Sequence, residues 1–332
     1  MVVQQIRDTH NRRRGALAAL VLLIAAAGVY ASVGAGRTNP KPSRAVDAAT
    51  HRRLSSQART RVATVPSPPP APALQVTAPL GPGGGWSTTA RVHGQPAAWL
   101  AERSGVTLMR FDQSLVHLTL HAGYNDGGES GWTYGDRITP SEVHKLVAAF
   151  NGGFKLSYSD VGFLSGHHLA VALKSGLASI VTYTDGTSDI GAWHAGVPSS
   201  GKPVFSVLQN QHLLVDRGVA AASLESCVLT CWGGTVGSVS VVARSGLGVT
   251  ANGQLVWAAG EQLSPAGLAH ALIAAGAVRA IELDINPDWV AGYLYVHHPS
   301  GPSPVPVVPG QHGIAGELLH PDSRDFLAVV AN

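Results

Sequence analysis

From Gly83 onward, short apolar runs alternate with turn residues, the pattern of strands joined by tight connections. Val106–Phe111 and Leu115–His121 flank Asp112-Gln113-Ser114 and predict a hairpin. Ile180–Tyr183 leads into Asp185-Gly186, and Leu247–Thr250 leads through Asn252-Gly253 to Gln254–Ala258. Asn-Gly and Asp-Gly accept positive φ at the central turn positions, which tight hairpins need. Two stretches carry helix start signals. Thr139, followed by Pro140 and with Glu142 three residues on, predicts a capped helix over Pro140–Val147. Ser264 and Pro265 open a second helix over Pro265–Ala275, which Gly276 ends. Leu268, Leu272 and Ile273 give that helix an apolar face, with His270 on another side. Val278–Ile285 then reads as a strand. The fold class these elements predict is α+β: a single mixed, sheet-rich domain with a few helices over residues 83–332.

Before Gly83 the pattern changes. Arg12, Arg13 and Arg14 precede an uncharged run from Gly15 to Gly36, apolar for the most part from Leu17 through Val33. A helix of about 20 such residues crosses the hydrocarbon layer of a bilayer, and the arginines place the N-terminal end in the cytoplasm. The expectation is a basic cytoplasmic tail over 1–14 and a transmembrane signal-anchor over 15–36, in a single-pass protein of the cell membrane. The competing reading is a cleaved signal peptide, because Val29-Tyr30-Ala31 and Val33-Gly34-Ala35 offer small residues at cleavage positions; the protein would then be secreted. The run is long for a signal peptide, which favours the anchor, and both readings export the domain. Residues 37–82 are rich in Pro, Ala, Ser, Thr and Arg. They hold too few large apolar residues to offset the entropy of ordering and predict a disordered stalk.

Charge taken over the whole chain would mislead. Lys+Arg number 23 against Asp+Glu 20 in 332 residues, but residues 1–82 hold 11 basic and 2 acidic residues whereas residues 83–332 hold 12 and 18. The domain is therefore acidic and lacks the basic footprint that gripping nucleic-acid phosphates requires. Export also bears on the two cysteines. Cys227 and Cys231 lie four residues apart, and in an oxidising compartment such a pair forms a disulfide.

Gly246-Leu247-Gly248-Val249-Thr250-Ala251 fits a dinucleotide-binding spacing on paper, but an Asn-Gly hairpin follows where that motif needs a helix. Three places carry more chemistry. Phe150-Asn151-Gly152-Gly153-Phe154 sets an amide and two glycines between aromatic residues, and consecutive glycines let backbone N–H groups approach an anion or sugar. Arg244 ends an apolar run, Val239–Ala243, where a guanidinium can clamp a phosphate. Glu282, Asp284 and Asn286 alternate with Ile281, Leu283 and Ile285, so that on a strand both carboxyl groups share one face, an arrangement that drives pKa values apart. Asp284-Ile285-Asn286-Pro287-Asp288 also resembles the opening of a calcium loop, but Trp289 and Tyr295 occupy the positions of its glycine and glutamate. A divalent cation in a non-standard site is the one cofactor left open, and no metal ligands are assigned. His167-His168 and His297-His298 point to opposite strand faces; His167 or His168 is a weaker candidate for proton transfer near the Asn151 turn.

From about Val143 to Val330 the order of motifs resembles the phosphodiester glycosidase family: the Asn151-Gly152-Gly153-Phe154 turn, Ala243-Arg244-Ser245-Gly246-Leu247-Gly248-Val249, Ala275-Gly276-Ala277, Leu283-Asp284, and Asp325-Phe326-Leu327. The resemblance implies a mixed α/β fold and hydrolysis of a sugar joined through its anomeric oxygen to phosphate. Members continue Leu-Asp with Gly-Gly-Gly-Ser; this chain has Ile285-Asn286-Pro287-Asp288-Trp289, which keeps the acid and rebuilds the loop. On this reading Asp284 is the catalytic carboxylate aided by Glu282, and Arg244 neutralises the phosphate. Asn151, Gly152 and Gly153 hold the sugar or a phosphate oxygen, and Asn286, Asp288 and Trp289 complete the binding surface. The expected partner is a phosphorylated glycan or envelope polymer, cleaved outside the cytoplasm. The rival is a non-catalytic module that binds such a polymer on Trp289 and Tyr293, and a third reading is a degenerate domain that does neither.

Overall fold

Antiparallel strands dominate the computed structural model, which describes residues 73–78, 85–125, 131–166, 168–314 and 316–332. The basic tail and the apolar run of 15–36 lie outside the described residues, as does most of the expected stalk. Among the described residues no helix is long and apolar enough to cross a membrane. Strands are numbered along the chain. The first sheet has nine strands, in the order Leu74–Val76 (β1), Ser87–Val92 (β2), Gln95–Arg103 (β3), Val106–Phe111 (β4), Leu255–Leu263 (β15), Val242–Thr250 (β14), Ala277–Glu282 (β16), Leu213–Asp216 (β12) and Val219–Ala220 (β13). The second runs Ser188–Ala192 (β10), Ala178–Tyr183 (β9), Val204–Gln209 (β11), Phe163–Ser165 (β7) and His168–Val171 (β8). The third runs Gly301–Pro306 (β18), Gly292–His298 (β17), Leu146–Asn151 (β6), Phe326–Ala331 (β19) and Val116–His121 (β5). Neighbouring strands are antiparallel in all three. Three short α-helices, Leu156–Ser159 (α1), Val228–Cys231 (α2) and Pro265–Ala274 (α3), and three 3-10 turns complete the described elements. The sheet-rich α+β class holds, weighted towards β.

One face of each sheet contributes to a common core. In β19, Leu327, Val329 and Ala331 enter it while Phe326, Ala328 and Val330 pack into a second cluster with Ile138, Ile314 and Leu318, as strand alternation requires. β6 is buried on both faces, because it lies between β17 and β19 with a cluster on each side. Its Phe150 ring sits 6.3 Å from Phe111 and 5.4 Å from Trp257, joining the third sheet to the first. The other face of the first sheet is covered by α3, whose Leu268, Ala269 and Leu272 are buried.

The expected hairpins at Asp185-Gly186 and Asn252-Gly253 form, as β9–β10 and β14–β15. The second places Gly246 and Gly248 within a strand, as read from the sequence. α3 also forms, with Ser264 Oγ accepting the Gly267 N–H at 3.0 Å. Three expectations are corrected. Val106–Phe111 and Leu115–His121 do not pair: β4 joins the first sheet and β5 the third, and the Asp112–Ser114 turn hands the chain from one to the other. The helix over Pro140–Val147 reduces to a 3-10 turn at Val143–Lys145, since Leu146 onward is claimed by sheet pairing. The stalk does not extend to residue 82 without structure, because Leu74–Val76 pairs with β2 and buries Val76.

The capping contacts nevertheless survive around Glu142. Its carboxylate accepts hydrogen bonds from Thr119 Oγ1 (2.6 Å), the Thr139 N–H (2.8 Å) and Thr139 Oγ1 (2.6 Å), and lies 3.2 Å from His121 Nε2. Burial alone would push its pKa up; the bonds and charge of His121 and the two hydroxyls outweigh that and hold it at about 2. A carboxylate depressed in this way stabilises the fold above its unfolded pKa, and the contribution is lost as pH falls through the folded value. Glu142→Gln is expected to cost on the order of 3 kcal/mol at pH 7 in chemical denaturation. The gap from wild type should close between pH 4.5 and about 2. A gap that stays constant over that window would show that Glu142 acts by packing alone.

Candidate active site

Three strand ends meet at one seam. β6 ends at Asn151, which pairs in register with Phe326 at the start of β19, and β16 ends at Glu282 opposite Gly246 of β14. Beyond these ends the backbone must leave the ladders, and side chains take over the bonding. Asn151 Nδ2 donates to Ser245 Oγ at 2.8 Å and to the Gly152 carbonyl at 2.9 Å. The Ser245 N–H donates to the Asp284 carbonyl and Ser245 accepts the Leu283 N–H, at 3.0 and 2.8 Å. Asn151 and Ser245 thus fix where Asp284 emerges.

The Asp284 carboxyl group is nearly buried and bonded on both oxygens. Oδ1 accepts the N–H groups of Ile285 (2.7 Å) and Asn286 (2.9 Å), and Oδ2 accepts Arg324 Nη2 at 3.0 Å. Arg324 Nη2 also donates to the Gly153 carbonyl at 2.8 Å, and its guanidinium lies 5.2 Å from the centre of the Trp289 ring. Desolvation pushes the Asp284 pKa up from the ordinary aspartate value, and Arg324 with the Asn286 and Ile285 amides offsets only part of that rise. Asp325, next to Arg324, accepts the Gly153 N–H through Oδ2 at 2.8 Å, while its carbonyl accepts the Gly152 N–H at 3.0 Å. A Cβ on residue 152 would lie 2.0 Å from Asp325 Oδ2, so this approach requires glycine.

These groups open onto a cleft of about 500 Å³, lined also by Phe154, Lys155, Tyr158, Gly233 and Ile285. Gly233 crosses against Phe154 and Ile285 at φ +89°, and a Cβ there would fall 2.5 Å from Ile285 Cδ1. The Cys227–Cys231 disulfide expected from the sequence closes α2 just before this crossing, with a Cα–Cα distance of 5.3 Å. The cleft volume falls in the range of small-ligand sites.

Asp284, Asn286 and Trp289 line the cleft, and Asn151, Gly152 and Gly153 lie in the layer supporting it. Asn151 and the Gly152 and Gly153 amides spend their hydrogen bonds on Ser245, Asp325 and Ala291, which makes them framework rather than sugar ligands. Arg244 needs the main correction. It is fully buried and absent from the cleft lining, donating to the Leu263, Trp232 and Ser240 carbonyls and to Glu282 Oε1 at 2.7 Å. Strand alternation explains this: Ser245 faces the seam, so Arg244 faces the opposite layer beneath α3. Glu282 follows it, paired with Arg244 and held at a pKa raised to about 7 by burial, against the pull of the guanidinium. The common face expected for Glu282 and Asp284 is lost because β16 stops at Glu282 and the chain turns.

Asp288 is exposed and pairs with His312 at 3.0 Å, outside the cleft lining. Tyr293 is buried with its hydroxyl accepting the Ile314 N–H at 2.7 Å, so it offers no stacking surface. His168 stacks on Trp132 at 4.1 Å, and His297 Nε2 lies 2.7 Å from the Leu146 carbonyl; neither lines the cleft, and His167 lies outside the described residues. No group of three acidic, histidine or cysteine side chains among the described residues converges as a metal site. Arg324, Lys155 and Tyr158 are the charged and aromatic cleft residues that pattern reading missed. The only signal for Arg324 was its place beside the Asp325-Phe326-Leu327 motif.

No family model and no curated protein matches the chain. Among solved structures, it is similar to the catalytic domain of zebrafish N-acetylglucosamine-1-phosphodiester alpha-N-acetylglucosaminidase, auto-inhibited by its pro-peptide: TM-score 0.44 and 14% identity, over 79% of this chain and 84% of that one. It is also similar to a hypothetical protein from Synechocystis, with TM-score 0.41 and 12% identity, over 72% of this chain and 63% of that one. The likeness is a distant one of fold alone and carries no activity or residue role to this chain.

Breaking a buried pair by removing one partner commonly costs about 3–5 kcal/mol, whereas replacing both partners with apolar residues is often neutral. Arg244→Ala is therefore expected to lower the melting temperature sharply, and the double substitution Arg244→Met with Glu282→Leu to recover most of the loss. An Arg244→Ala protein with unchanged melting would contradict a structural role for the pair.

Proposed function

We propose that the chain is a membrane-anchored, outward-facing hydrolase of glycosyl phosphodiesters, the sugar-1-phosphate linkages of envelope or wall glycans. The observation that carries the reading is a nearly buried carboxylate, Asp284, set against a guanidinium, Arg324, and an indole, Trp289, at one cleft. The motif order that resembles the phosphodiester glycosidase family ends on this same aspartate. The disulfide and the apolar run of 15–36 support an exported domain.

The chemistry suits a cleft with a single reactive carboxylate. A phosphate monoester is a weakly basic leaving group, so cleavage of the bond from C1 to oxygen needs no proton from a second acid. Asp284 takes a proton from water as the water oxygen bonds to C1. The electron pair of the broken bond leaves on the phosphate oxygen, whose charge Arg324 faces. Trp289 offers an aromatic face to the sugar ring. Glu282, buried and paired with Arg244 through Oε1, acts on this step only through the field it adds beside Asp284.

The base must be ionised. Because burial raises the Asp284 pKa, kcat/KM should fall, as the solution is acidified, at a pH above the ordinary aspartate range. Asp284→Asn is expected to reduce turnover of a sugar-1-phosphodiester by about 10²–10⁴-fold. Near-normal turnover in that variant would sink the assignment. One observation favours the rival reading, a binding module: both Asp284 oxygens already have donors. Binding of the phosphorylated glycan with no product by mass spectrometry would decide for it.

A further inference from the structure

Beside the Asp284 pocket, the cleft has a mouth formed by α1 that the proposed reaction does not use. Tyr158 on this helix is 85% exposed, an unusual position for a large aromatic side chain. Lys155, at the start of the helix, holds its ammonium 5.2 Å from the centre of the Tyr158 ring. The nearest acid along the chain, Asp160, is ion-paired with Lys174, and among the described residues no acid pairs with Lys155. Inside the cleft the charge of Arg324 is met by Asp284, so Lys155 adds an uncompensated positive charge at the mouth.

The segment is held in place. Leu156 is buried, Ser159 Oγ donates to the Lys155 carbonyl at 2.9 Å, and Phe154 is packed beneath Gly233. An exposed ring on a fixed turn is a stacking surface for a sugar, and an ammonium against that ring is a point of contact for an anion.

We propose that Lys155 and Tyr158 form an outer subsite that takes the next repeat unit of a polyanionic glycan, its sugar on Tyr158 and its anionic group on Lys155. The substrate class is then an oligomer or polymer with charge on successive units, rather than an isolated sugar phosphodiester. This rests on the glycosyl phosphodiester reading of the inner pocket.

The test uses the full-length chain with three probes: a sugar-1-phosphodiester bearing a small neutral aglycone, a phosphodiester-linked oligomer of the same sugar, and the uncharged oligomer. Lys155→Gln and Tyr158→Ala should each raise KM for the charged oligomer about tenfold, with kcat unchanged and the short substrate unaffected. The Lys155→Gln effect should shrink at high salt. For the uncharged oligomer, only Tyr158→Ala should weaken equilibrium binding. Equal effects on short and long substrates, or no effect on either, would overturn the subsite. If wild type turns over neither phosphodiester, the catalytic reading fails by itself, and calorimetric binding of the charged oligomer still decides. Weaker binding by both variants supports the subsite, and unchanged binding overturns it.

Discussion

The hydrogen bond from Asn151 to Ser245 is the constraint on which the site depends. It joins the end of a buried strand in the third sheet to a strand of the first, where β6 ends and β14 parts from β16. Ser245 in turn bonds the backbone on either side of Leu283, so the position of Asp284 follows from pairing rather than from a flexible loop. Buried polar groups must find partners or destabilise the fold, and here each partner is another element of the same framework. Arg324 and Asp325 complete it by taking up the Gly153 carbonyl and N–H.

Two buried Arg–carboxylate pairs lie close together, and their surroundings give them different roles. Arg244 and Glu282 are sealed beneath α3 among carbonyl acceptors, where the pair has no route to a ligand. Arg324 and Asp284 lie at a cleft wall beside an aromatic ring, where a ligand can reach both. Desolvation raises both carboxyl pKa values, so titration behaviour alone would not separate them. Position relative to the cleft does.

The parts of the fold legible in the sequence were those set by local chemistry. Asn252-Gly253 and Asp185-Gly186 demand tight turns, Ser264-Pro265 starts a helix, and the two cysteines lie within bridging distance on one turn. The misread parts were set by distant partners. The contacts of a helix-capping box at Thr139 and Glu142 are present, yet sheet pairing of Leu146–Asn151 takes the residues the helix would need. The Asp112–Ser114 turn looks like a hairpin because nothing local reveals that its flanks belong to different sheets. In the site, Asp284, Asn286 and Trp289 were legible as an acid, an amide and an aromatic after a strand. Arg244 was placed in the wrong layer because a one-residue offset decides which face a strand residue occupies, and Arg324 was hidden because its partner lies 40 residues away.

In the proposed reaction Asp284 and Arg324 face the anomeric carbon and phosphate of a bound glycosyl phosphodiester. A crystal structure of the Asp284→Asn protein with an uncleaved oligomeric substrate tests it most directly. The expected result is the anomeric carbon beside residue 284, its phosphate against Arg324 and its sugar on Trp289. Density for the ligand elsewhere, such as the crevice lined by Lys202 and Arg279, with the Asp284 cleft empty, would contradict it.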